Sequence, residues 1–114
     1  MTQRQLVYDL DNGRCVGCDK PLRRNGDFWH YHAHHVIRQN TLKRKGVRPR
    51  WWRGPHLCIL LCWDCHGGQT SCMAKVPFER LPGRVWQAAV ELGPWAEEAL
   101  LRAHPRADNV RLTR

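Results

Sequence analysis

A chain of 114 residues suits one domain, yet a domain of this size buries only a modest share of its surface and often needs a further staple. Lysine and arginine number 19 against 10 aspartates and glutamates, a formal charge of +9 that favours polyanionic partners. No apolar run approaches membrane-spanning length, and residues 2–9 lack the apolar core of a signal segment, so neither a spanning helix nor an oxidised, secreted protein is expected.

Residues 2–10 set Leu6, Val7 and Leu10 at helical spacing and Asn12-Gly13 supplies a stop, which predicts a leading helix within residues 1–13. Cys15-Val16-Gly17-Cys18 follows, and its counterpart is Cys62-Trp63-Asp64-Cys65. Each Cys-x-x-Cys knuckle can aim two thiolates at one tetrahedral zinc, and two knuckles close a site of the structural kind. The glycine permits a tight turn in which backbone amides point at thiolates. A disulfide framework is the rival reading, but adjacent half-knuckles strain as disulfides and chelate well, so a reduced, intracellular zinc site is expected. Cys58 and Cys72 receive no role beyond burial.

Residues 28–37, rich in aromatic and branched side chains, are predicted to form a strand. Alternation sends His30, His32 and His34 to one face and Trp29, Tyr31, Ala33 and His35 to the other. Residues 38–55 have neither helical nor strand periodicity and read as a long basic loop. No acidic residue occurs across 28–63, whereas Arg38, Lys43, Arg44, Lys45, Arg48, Arg50 and Arg53 supply positive charge suited to phosphate contacts. Within it, Trp51 and Trp52 are expected to plug the zinc-bound body with at least one ring, stacking on nucleic acid being the alternative. Residues 57–61 predict a buried strand leading into the second knuckle, after which a helix starts, weakened by Gly67-Gly68. Over 77–104, Val85, Trp86, Ala89 and Val90 make one helical stripe and Trp95, Ala96, Ala99, Leu100 and Ala103 another, divided at Gly93-Pro94. Pro94 suits a first helical position, Glu97 and Glu98 the positive end, and Arg102 the negative end, with Pro105 as the stop. The two helices either cover the metal-binding body or form a dimer surface. A polar, mobile tail is expected over 105–114.

The second constellation is His34, His35 and His66. Taken with Cys15-x-x-Cys18, Ala33-His34-His35-Val36 and Leu60-Leu61-Cys62-x-x-Cys65-His66, it resembles the zinc-bearing branch of the HNH endonucleases across about residues 14–70. The resemblance implies an α+β fold, a small zinc-stabilised ββα-metal (His-Me finger) core with flanking helices. It implies structural zinc on the four cysteines and a catalytic divalent metal (Mn2+, Mg2+, Ni2+, Co2+ or Zn2+) held by His34 and His66. His35 would then be the general base in DNA hydrolysis, leaving 5′-phosphate and 3′-hydroxyl ends. Small stand-alone relatives occur in phage genomes, where some assist packaging, so phage packaging proteins and the cytoplasm of a bacterial host belong to the same implication.

Two departures accompany the resemblance. The family's middle asparagine would fall near His56 or Leu57, leaving His56 as a candidate for its loop-tying hydrogen bonds, and Thr70 stands where some relatives carry a second helix ligand. Competing readings are a noncatalytic zinc-ribbon adaptor that binds nucleic acid through the basic stretch, and a scaffold that docks another protein through its C-terminal helices. The adaptor gives no reason for His34, His35 and His66 to occur together.

Overall fold

The computed structural model describes residues 2–26, 30–71 and 76–107, with the side chains of 68–71 also outside the description. Thr2 and Gln5 form a reciprocal capping box that starts helix α1, Gln3–Leu10. The helix ends where Asn12 and Gly13 both take positive φ, 56° and 67°, so the sequence stop is a real change of backbone hand. After the first cysteine knuckle comes strand β1, Tyr31–His35, shorter than expected; Phe28 and Trp29 of the predicted strand lie outside the described residues.

The segment 38–55 is not a loop. It folds into two short helices, α2 (Gln39–Arg44) and α3 (Pro49–Arg53). A single buried residue, Leu42, anchors α2, and Trp51 anchors α3, so neither turn repeats an apolar position often enough to show a period. Their boundaries do have chemistry: Gly46 at φ 72° ends α2 in the left-handed region, and Pro49 occupies a first-turn position of α3. Trp51 is only 8% exposed, which makes it the plug; Trp52 is half-buried against the same core.

Strand β2, Cys58–Cys62, is buried at every residue and pairs antiparallel with β1, His34 opposite Ile59 and His35 opposite Cys58. Helix α4, Trp63–Ser71, follows without a break. A 3-10 turn, Phe78–Arg80, leads into α5 (Gly83–Leu92) and α6 (Pro94–Ala103), with Pro94 opening the last helix as its sequence predicts. The two-stranded sheet thus separates two cores. Val7, Tyr31, Cys58 and Leu60 pack on the α1 side, while Ile59 and Leu61 join the larger cluster shared with α2, α3, α5 and α6.

One residue binds these layers. Arg84 of α5 donates to both carboxylate oxygens of Asp11 at 2.7 and 3.0 Å, and to the carbonyls of Cys58 and Pro55 at 2.7 and 3.2 Å. Asp11 in turn accepts from the backbone N–H of Leu60 at 2.9 Å. The end of α1, the head of β2 and the start of α5 are therefore held through a single guanidinium. No helix among the described residues is long and apolar enough to cross a membrane.

Candidate functional site

The two knuckles meet as their spacing predicts. Cys15, Cys18, Cys62 and Cys65 bring their sulfurs within 4.8 Å of one another, although the pairs lie far apart in sequence. Tetrahedral zinc with bonds of about 2.3 Å sets its sulfurs about 3.8 Å apart; Cys18 and Cys62 are at 3.8 Å. The set fits a closed structural metal site such as zinc. Among the described residues it is the one such group of converging ligand atoms.

Local structure makes the cluster. The knuckle of Cys15 and Cys18 is tied to β2 by the N–H of Val16, which donates to the Leu60 carbonyl at 2.8 Å. Gly17 is required for space as well as for turning: a Cβ there would stand 2.9 Å from the Cys65 sulfur. The turn's left-handed residue is Asp19, at φ 65°. Burial disfavours a Cys15 thiolate, but backbone N–H groups of Cys62, Cys18 and Gly17 outweigh it and bring the thiol below its ordinary range. Burial raises Cys62 and Cys65, and for Cys65 the neighbouring thiols raise it further. The surroundings thus favour the thiolate at Cys15 and the thiol at Cys62 and Cys65, a conflict that a bound cation removes.

Cys65 is followed at once by His66, so the cluster fixes where the first turn of α4 places that imidazole. His66 and His34 stand with ring centres 5.4 Å apart and planes at 76°. His32 stacks on His66 at 4.2 Å, Trp63 lies 5.5 Å from His32, and His104, at the end of α6, sits 6.0 Å from His34 at 82°. The described face of β1 therefore carries four histidines where the motif names two. His32 and His104 have no motif of their own; the even spacing from His32 to His34 is the signal for the first, and none exists for the second.

His35 points the other way, as alternation requires. Its Nε2 lies 3.3 Å from the Trp52 carbonyl oxygen, and since a carbonyl only accepts, Nε2 bears the proton and Nδ1 the lone pair. Gln3 and Gln39 donate to the same oxygen at 3.1 and 3.2 Å, and Gln3 also to the Gly54 carbonyl at 2.8 Å. Those glutamines tie down the last turn of α3 and the Gly54 that follows it. His56 is exposed, with its ring 5.0 Å from that of Trp51. Burial lowers the pKa of His35, with the Trp52 carbonyl partly opposing it, and burial also lowers that of His66. For His32, burial comes first and the positive charges of His66 and Arg4 add to it. These rings are held neutral, the state needed to accept a proton or a metal.

Arg38, Lys43, Arg44, Lys45, Arg48, Arg50 and Arg53 are all exposed on and around α2 and α3. Several stand over indole rings: Lys43 and Arg53 over Trp52 at 4.7 and 4.9 Å, Arg50 over Trp51 at 4.9 Å and Lys45 over Trp95 at 5.4 Å. Thr70, Cys72 and the end of the tail fall outside what is described of side chains. Comparison with protein-family models, with curated proteins and with solved structures finds no match.

Proposed function

We propose that the chain is a metal-dependent endonuclease of the HNH type that hydrolyses phosphodiester bonds of DNA on a ββα-metal core. The observation that carries this reading is the meeting of His66 and His34 beside the cysteine cluster, one residue from a neutral, carbonyl-oriented His35. Structural zinc would clamp the start of α4 to β2, and the resulting hairpin and helix would be the catalytic unit.

The donor set fits a divalent ion. Two imidazoles bound at about 2.1 Å to one ion at a tetrahedral angle have ring centres about 5.3 Å apart, and His34 and His66 are at 5.4 Å. Such an ion, when bound, offsets charge on the phosphate and on the departing 3′ oxygen. His35 takes a proton from water through Nδ1 as the water oxygen attacks phosphorus; the bond to the 3′ oxygen breaks, and that oxygen gains a proton from solvent. The Trp52 carbonyl holds the ring in the productive tautomer and favours the imidazolium that forms. Charges on α2 and α3 retain the phosphate backbone without selecting sequence, so binding weakens steeply with salt.

Plasmid cleavage by the zinc-loaded protein across a series of divalent metals tests the reading. Cleavage should require added metal, and His35→Ala should slow it by about two to four orders of magnitude with zinc content and circular dichroism unchanged. Retention of plasmid without cleavage in any metal would instead identify a nucleic-acid-binding adaptor.

A further inference from the structure

Among the described residues, Leu10, Trp63, Trp86 and Val90 are large apolar side chains left exposed. The fold accounts for Trp86, whose indole N–H donates to the Leu81 carbonyl at 3.2 Å and whose ring leans on Phe78 at 4.9 Å. Trp63 is 45% exposed and opens α4 from inside the second knuckle. Its backbone is fixed from two directions: Cys62 and Cys65 belong to the sulfur cluster, and its own N–H donates to the His30 carbonyl at 3.2 Å. The ring lies 5.5 Å from that of His32, which stacks on His66. A row of aromatic rings therefore runs from the surface to His66, with the indole at its outer end. The formal charge of +9 draws a polyanion to the molecule. Asp64, exposed beside Trp63, repels phosphate at this corner, so contact here falls to a base, whose π-face carries no charge. Inside a duplex both faces of a base are covered by its neighbours, and an unpaired base alone can lie flat on the indole.

We infer that Trp63 is a stacking platform for an unpaired nucleobase, so that the DNA this chain takes is single-stranded or locally unwound. The inference deepens the nuclease reading and rests on it for the passage of a strand beside His66. A ring held on a backbone that zinc already fixes loses little freedom when a base settles on it. Stacking of this kind is indifferent to sequence, as are the phosphate contacts of α2 and α3.

Fluorescence anisotropy of labelled oligonucleotides with the zinc-loaded full chain tests this, without further divalent metal so that no strand is cut. The probes are a single strand, its duplex, and an abasic single strand with the same number of phosphates. Trp63→Ala should weaken binding of the single strand by about five- to 150-fold and leave the duplex and the abasic strand near their parental affinities. Trp63→Phe, which retains a ring, should recover part of the loss; zinc content and circular dichroism are measured for each variant. Unchanged single-strand binding by Trp63→Ala overturns the inference, and the nuclease reading stands if the parent still cuts plasmid. Equal weakening with all three probes also overturns it, since bases then play no part. Trp63-dependent binding by a chain that cuts no DNA in any metal sustains the platform and refutes the nuclease. Should Trp63→Ala fail to fold, photo-crosslinking of the unsubstituted chain to a single strand carrying 5-iodouracil decides. Mass spectrometry must find the crosslink on Trp63, and crosslinks confined to other residues overturn the inference.

Discussion

Single side chains here owe their chemistry to where the backbone leaves them. Cys58 is 1% exposed, and burial pushes its thiol up to about 12, the nearby Arg84 only partly restraining the rise. It should therefore resist alkylation by iodoacetamide at pH 8 in the folded protein and react once urea is added; mass spectrometry of the modified peptides reads the difference. The histidines lose stability in the same direction as paired carboxylates, as pH falls, although here burial is the cause. His32, His35 and His66 have folded pKa values below their ordinary 6.5, so in mildly acidic solution the unfolded chain binds more protons than the native one. Their contribution is complete above about pH 6.5 and is lost as pH falls through the folded values. Urea midpoints taken without added divalent metal should drop between pH 7.5 and 5.5 at constant zinc content, and His32→Gln should flatten that slope.

At the scale of elements, the knuckles, the buried strand and the C-terminal helix pair were legible because each repeats a local rule: Cys-x-x-Cys, an apolar run, a stripe bounded by proline. Helices α2 and α3 were not, because one buried side chain per helix leaves no period, and the glycine and proline that bound them also suit a loop. The contact between His34 and His104 was beyond reach for another reason. It joins a strand to the far end of α6, and no spacing rule relates residues so distant. Gly17 illustrates a rule read for one cause and needed for two, since its lack of a side chain makes room for the Cys65 sulfur. Gly17→Ala must displace that sulfur, an overpacking cost of about 1–3 kcal/mol. Zinc should pass faster to a chromogenic chelator from this variant, whereas Gly46→Asn, at a position open to solvent, should release it at the parental rate.

For the molecule as a whole, the sheet alone is too small to hold its layers together, and the Arg84–Asp11 pair takes over that task. The Asp11 side chain is 5% exposed and that of Arg84 18%, so removing the cation leaves a carboxylate and two carbonyls short of a donor. Arg84→Ala should cost about 3 kcal/mol of unfolding free energy by urea denaturation. The double variant with Asp11→Asn should recover part of it, which separates loss of the ion pair from loss of packing.

Cys65 and His66 are neighbours on α4, one turned toward the sulfur cluster and the other toward the histidines of β1. An α-helix advances about 100° per residue, so the helix acts as a protractor between the two centres: their separation is an angle fixed by a single peptide unit. A residue inserted between Cys65 and His66 would preserve every ligand by composition and still swing the imidazole away from β1. The joint between structure and chemistry in this chain tolerates exchange of side chains around it far better than any change of length.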